Sequence, residues 1–230
     1  LSKREIILLP DKFKEKTGIH IVTKHRGKMN GMASLSTSCL CNEYCKKYSK
    51  DEKNICSYCY ANTSLRIFPG MQRNCERNTE ILTSRILSLE ELPILNYSYF
   101  RFEAFGDLIN ETQLINYFNI CRKNKGTHFA LWTKNPFIIE KVVSNGEKKP
   151  RNLQIILSSM KINQPTDGSK WSFVDKVFTV YSDEYIEANN VQINCGSESC
   201  LLCRKCYCST KNKTINERLK IRRVKRENVA

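Results

Sequence analysis

The sequence is short of histidine, of glycine-rich loops, of acidic residues and of long apolar runs, and each shortage removes a class of protein. Its three histidines, His20, His25 and His128, are scattered with no ligand-spaced partner, so they read as structural residues. The nine glycines never form a phosphate-binding loop, and neither a serine-nucleophile elbow nor a paired-histidine motif occurs. The first apolar run, Ile6 to Leu9, stops at Pro10 and is too short for a signal-peptide core. No later run approaches a membrane span, so no membrane partner is expected. The expected compartment is therefore the reducing cytoplasm, where clustered cysteines bind metal rather than pair as disulfides.

What the chain does have is cysteine and positive charge. Twelve cysteines occur in 230 residues, and 38 Lys and Arg against 23 Asp and Glu give a net charge of +15. At this length, with 40% hydrophobic residues, one sizeable core is expected and two full domains would be cramped. The segment from Lys211 to Arg226 carries eight basic residues against Glu217 alone. Such a tail is either a solvated end or a grip on a polyanion, with nucleic acid the favoured partner.

Ten of the cysteines fall in two sets. The first holds Cys39, Cys41, Cys45, Cys56 and Cys59, with Cys41 and Cys45 one helical turn apart and Cys56 and Cys59 in a CxxC knuckle. Thiolates are soft ligands, and these spacings let a short peptide wrap zinc or an iron–sulfur cluster; spacing alone does not choose between them. The second set is Cys195, Cys200, Cys203, Cys206 and Cys208. Its Cys200-x2-Cys203-x2-Cys206 run matches the pattern that grips a 4Fe–4S cluster in bacterial-type ferredoxins, with Cys195 or Cys208 as the fourth ligand. Cys75 and Cys121, alone in predicted helices, read as small buried hydrophobes.

Between the sets the pattern alternates. Strands are expected over Ala33–Thr37, Tyr97–Ala104, Thr127–Trp132, Leu153–Ser158, Lys176–Val180 and Val191–Asn194, with a further short one near Gly18–Thr23. Helices are expected over Gln72–Leu89, Asn110–Cys121, from Asn135-Pro136 to Val143, and over Asp183–Ala188 behind a Ser182 cap. The stretch from Gln164 to Trp171 is not convincingly helical. Alternation of this kind implies parallel strands and crossover helices, and the length fits an α/β fold with a six-stranded partial β/α barrel. The expected division of this single domain is a preamble over 1–33, the β/α core over 34–194, the C-terminal cysteine cluster over 195–208 and the basic tail over 209–230.

Chemistry in such folds gathers at the C-terminal strand ends. Phe105-Gly106-Asp107, Thr133-Lys134-Asn135, Ser158-Ser159 and Tyr181-Ser182-Asp183 stand there, although Asn135 and Ser182 read more simply as caps of the following helices. Arg101 and Glu103 alternate with Phe100, Phe102 and Ala104, which places both on one face of a strand. A charged pair there either bridges inside the barrel or faces a polar ligand.

Gly27-Lys28-Met29, Ser38-Cys39, Cys56-Ser-Tyr-Cys59-Tyr60-Ala61, Arg101 with Gly106-Asp107, Thr133-Lys134 and the terminal triple-cysteine run together resemble the phage "gene product 88" family. The resemblance covers roughly residues 27–208. That family is similar in layout to radical S-adenosylmethionine enzymes, which carry a cluster loop after the first strand of a partial barrel. The resemblance implies an iron–sulfur protein, with one or two 4Fe–4S clusters and an open iron able to take S-adenosylmethionine. Gly106 and Asp107 would hold that cofactor, while Arg101, Glu103 and Lys134 would contact cofactor or substrate; an electron donor would be a partner, and the host cytoplasm the location. The chain departs from the radical enzymes where Lys46 to Ile55 separate Cys45 from Cys56, and where the second-strand turn lacks paired glycines. The competing class is a non-catalytic nucleic-acid-binding module stapled by zinc or iron–sulfur sites.

Overall fold

Six parallel strands in sequential order, each hydrogen-bonded to the next, make the sheet on which everything else rests. The computed structural model describes residues 18–196, 198–209 and 213–220. The strands are β1 (Ala33–Leu35), β2 (Tyr99–Phe102), β3 (His128–Thr133), β4 (Leu153–Ser158), β5 (Lys176–Tyr181) and β6 (Thr214–Arg218). β1 and β6 are the two edges, so the sheet is parallel throughout but not closed. Parallel neighbours need crossover connections, which are almost always right-handed. In a sequential order that rule sends successive crossovers to the same side of the sheet.

The crossovers are α3 (Pro69–Ser84), α4 (Glu111–Lys123) and α5 (Pro136–Ser144), preceded by α1 (Glu43–Ser49) and α2 (Tyr60–Ile67) in the long β1–β2 connection. Their starts follow the sequence. Asn110 accepts the backbone N–H of Gln113 as the N-cap of α4, and Pro136 occupies the first turn of α5. The β4–β5 connection contains only a short 3-10 turn, Gly168–Lys170.

One face of the sheet packs on these helices. Leu35, Phe100, Phe102, Phe129, Leu131, Leu153 and Ile155 meet Leu82, Leu114, Tyr117, Phe118, Ile139 and Val142 in a single buried cluster. Phe102 stacks on Phe129 at 5.2 Å and on Tyr117 at 4.2 Å, tying β2, β3 and α4 into one aromatic column. Burial of each such ring stabilises by roughly 1.5–3 kcal/mol. The opposite face carries Ala130, Ile156 and Ile215, and its cover is Tyr207 with Met32, packed alongside Cys195, Cys200 and Cys206. The C-terminal cysteine segment is thus the lid of the inner face.

Three expectations require correction. Val191–Asn194 is not a strand. Asn190, left-handed at φ 48°, ends α6 (Asp183–Asn189), and the extended segment beyond it lies along β6 through Asn194 and Cys195 N–H bonds to the Asn216 carbonyl. The sixth strand is β6 instead, which lies inside the stretch read as a basic tail. Its Ile215 is 1% exposed, and Arg218 pairs with Asp183 at 2.8 Å rather than waiting for a phosphate. The Gly18–Thr23 segment contributes a single antiparallel bridge, Val22 to Ser34. Lys211, Arg222, Arg223, Lys225 and Arg226 of the tail, and the Ile6–Leu9 run, lie outside the described residues. No helix among the described residues is long and apolar enough to cross a membrane.

The place of β6 generates a prediction. Truncation before Thr214 removes Ile215 and the edge strand, and should lower the melting temperature by about 10 °C, taking about 3 kcal/mol lost. Truncation after Lys220 should leave it unchanged. Thermal unfolding followed by circular dichroism checks both; equal melting temperatures for the two truncated chains would contradict the assignment.

Candidate functional site at the strand ends

The chain leaves β1 through Ser36-Thr37-Ser38 and enters the first cysteine loop, which lies along the C-terminal edge of the sheet. Asn42 anchors it. Its side-chain amide donates to the carbonyls of Asp107 and Leu108 at 3.0 and 3.2 Å, and its oxygen caps α1 by accepting the N–H of Tyr44 and Cys45. The Tyr44 hydroxyl donates to the Lys134 carbonyl at 2.7 Å, and the Ile55 N–H donates to Met160. Tyr60 donates to the Ala104 carbonyl and meets Phe105 edge-on. The loop is therefore fastened to the ends of β2, β3 and β4.

Inside it, Cys45, Cys56 and Cys59 surround Lys134, which Asp107 also faces, and Cys39 meets Cys59. Cys59 is the N-cap of α2. The Cys39 thiol donates to Cys59, and with the backbone N–H groups of Asn62 and Ala61 and the Lys134 charge it brings the Cys59 thiol down to about 6. Donation to Cys59, together with burial, pushes the Cys39 thiol up. Burial first, then the Asp107 charge, pushes up Cys45; burial and Cys59 push up Cys56. Burial works against the partly buried Lys134 ammonium, but the charges of Cys56, Asp107, Cys59 and Cys45 outweigh it and raise its pKa. This is a lysine placed among thiols, which favours their deprotonated forms.

Not every predicted residue joins this group. Cys41 is exposed, whereas Cys39 is buried and Cys45, Cys56 and Cys59 are half-buried. All twelve cysteines are unpaired. Among the described residues, no three His, Cys, Asp or Glu side chains are gathered tightly enough to hold a metal ion. The donor set itself, four thiols beside an ammonium, has the soft character that zinc or iron–sulfur ligation uses.

Asp107 is fully engaged. It accepts from the Thr133 hydroxyl at 2.5 Å, the Lys134 N–H at 2.8 Å and the Leu108 N–H at 2.8 Å, tying the end of β2 to the end of β3. Gly106 is glycine because a Cβ there would stand 2.4 Å from the Glu103 carboxylate and 2.6 Å from the Thr37 carbonyl. Both residues expected at a cofactor thus make internal contacts that shape the rim.

Arg101 and Glu103 do not share a face. Alternation ends at Phe102, because Glu103 takes a left-handed backbone at φ 56°. Its side chain, 2% exposed, turns to the helix layer instead. There it accepts from Tyr117, from Gln113 Nε2 at 2.7 Å and from the Thr37 hydroxyl at 3.0 Å. Burial lifts this carboxyl to about 8 despite those donors, with the Asp107 charge adding to the rise. Arg101 stays on the inner face, its guanidinium 4.1 Å from the Trp132 ring. Neither touches the cysteine rim.

Sequence reasoning missed Asn42, Tyr44, Gln113 and Tyr117. Asn42 was findable, since Asn before Glu43 and a short polar run is an N-cap signature. Gln113 is the third residue of a capping pattern, yet its amide nitrogen serves Glu103 while its oxygen accepts the Ile109 N–H.

Parallel α/β architecture with a cysteine loop bound across the C-terminal strand ends defines the class of protein. Residues 12–227 match the gene product 88 family, and the chain belongs to it. Comparison with curated proteins and with solved structures gives no match.

The Glu103 network generates a pH prediction. A carboxyl near 8 when folded and near 4.3 when unfolded binds the extra proton in the folded state between those values, so stability falls as pH rises from about 4 to about 8. The E103Q variant should lack that slope and exceed the parent in stability at pH 8 by a few kcal/mol. Urea unfolding at pH 5, 6.5 and 8 measures it; parallel pH profiles for the two proteins would refute the protonated carboxyl.

Proposed function

We propose that this protein is an iron–sulfur protein whose first cysteine set carries a cluster at the C-terminal rim of an open β/α partial barrel, where it does chemistry on a bound ligand. The observation that supports this reading best is the placing of Lys134 among Cys45, Cys56 and Cys59 at the strand ends, with Cys39 donating to Cys59. Parallel α/β folds place their reacting groups at that edge. Thiolate ligation requires deprotonated sulfur, and Lys134 is the group that favours it here.

When bound, such a cluster supplies one-electron chemistry, and an iron left without a thiolate can take the amino and carboxylate groups of S-adenosylmethionine. The chain's own residues would hold the rest in place. Cys39, Cys45, Cys56 and Cys59 supply the ligand set or three of it. Lys134 balances the negative charge, Asp107 keeps the β2 and β3 ends together, and Asn42 with Tyr44 holds the loop down so that water is kept from the sulfurs. The second set, Cys195, Cys200, Cys203 and Cys206, would carry another cluster behind the sheet.

The reading predicts iron and acid-labile sulfide after anaerobic purification. C45S, C56S and C59S should each lose one of the two clusters, C203S the other, and C41S neither. S-adenosylmethionine should change the electron paramagnetic resonance spectrum of the reduced rim cluster. Stoichiometric zinc without sulfide would overturn the iron assignment, and an unaltered spectrum in fully reduced protein would remove S-adenosylmethionine from it.

A further inference from the structure

The inner face of the sheet carries a second constellation with a different electrical character. Cys195, Cys200 and Cys206 pack in one cluster with Tyr207, Tyr99, Trp132 and Met29 on this face, and Cys203 closes the short helix Cys200–Cys203 beside them. Around them the wall is aromatic. Tyr207 is 4% exposed and packs edge-on against Tyr99 at 5.5 Å and Trp132 at 6.4 Å. Four thiolates in such surroundings would be a heavy burden of buried negative charge.

Three cations meet them there: Lys176, 2% exposed on β5 and facing Cys206, and two that come from other elements. Lys28 donates to the Cys195 sulfur at 3.6 Å and also pairs with Glu217 on β6. Arg101 lies on the Trp132 ring, with Nη1 3.4 Å from the Met29 sulfur, and its charge reaches Cys200 and Cys206. Its Nε is buried and has no hydrogen-bond partner among the described residues. A buried guanidinium N–H without an acceptor is costly, and an anionic sulfur-rich group beside it would recover that cost. Those two cations arrive through short, well-defined elements: Lys28 and Met29 sit in one 3-10 turn, Gly27–Met29, opened by Gly27 at φ 65°, and Arg101 comes from the middle of β2.

We infer that Lys28 and Arg101 are positioning residues for the inner cluster, and that by charge and N–H donation to its sulfurs they set its reduction potential. This rests on the proposed iron–sulfur reading and assigns the two residues a task that reading leaves open. Reduction adds one electron from a low-potential donor, dithionite in the assay, to the cluster and makes it more negative by one charge. Nearby cations and N–H donors favour the reduced form, so they raise the potential. Glu217 opposes Lys28 and lowers it.

The test is potentiometric titration with dithionite, followed by electron paramagnetic resonance, on the full chain. The couple lost in C203S identifies the inner cluster. R101Q and K28M should each lower that couple, so that the ratio of reduced to oxidised cluster at the parent's midpoint falls about tenfold, which is 59 mV for one electron. R101K, which keeps the charge and loses the Nε donor, should fall by less. E217Q should move the couple the opposite way, a sign that a merely structural role would not reproduce. The rim couple should not move in any of these proteins. If R101Q loses iron, R101K, K28M and E217Q carry the measurement. An unmoved inner couple in variants that retain iron and sulfide overturns this inference alone. Absence of iron and sulfide from the parent protein overturns it together with the iron–sulfur reading.

Discussion

A parallel sheet has to be covered on both faces, and the described residues supply helices enough for one. That constraint organises the molecule. α3, α4 and α5 cover one side with an ordinary apolar core, and Phe100, Phe102 and Phe129 are its centre. The other side is left to Tyr207, Met32 and the segment that carries the second cysteine set. A segment of that length, with one four-residue helix, Cys200–Cys203, buries little apolar surface of its own. Something besides hydrophobic burial must fix it, and the means visible in the structure are the ion pair from Lys28 to Glu217, the Arg101 stack on Trp132 and the sulfur atoms themselves. Thiolate ligation, as proposed above, would couple that cover to folding, because ligand binding free energy becomes folding free energy where no site exists in the unfolded chain.

The two cysteine sets then occupy different positions relative to the sheet. The first is at an edge, over the strand ends, with a lysine among its sulfurs and a loop held by Asn42, Tyr44 and Tyr60. The second is behind the sheet, walled by aromatic rings and met by Lys28, Arg101 and the buried Lys176. The buried Glu103 joins neither. It links Thr37 at the exit of β1 to Gln113 and Tyr117 on α4, and holds the start of the first loop from below.

Much of this was legible in the residues, and the failures have specific causes. Five of six strands were expected within a few residues, because Leu153–Ser158 and its neighbours are apolar runs between turn-forming residues. The Ser182 cap held, while Asn135 takes the cap position of α5 without a side-chain cap bond. β6 was hidden because Thr214–Arg218 contains one apolar residue in a basic stretch, and an edge strand needs only one face buried. Period-two alternation failed at Glu103, where a non-glycine residue in a left-handed conformation reverses the side chain; nothing in the local sequence announces that. The spacing of Cys41 and Cys45 suggested a ligand pair, but α1 begins only at Glu43, so Cys41 lies before the helix and points outward while Cys39 takes the inner place.

The order of the strands along the chain also has a consequence for biosynthesis. Domains fold as they emerge, N-terminal part first. The strands from β1 to β5, and the helices α3, α4 and α5 of the outer core, precede residue 190, whereas all of the inner face's cover except Met32 and Met29 comes from Cys195 onward, and β6 ends at Arg218. During translation the sheet therefore spends an interval with much of one apolar, aromatic face open to solvent and the five cysteines of the second set not yet made. In that interval the nascent protein is at its most vulnerable to aggregation and to oxidants, and a cell that makes it under oxygen meets the hazard before the chain is complete.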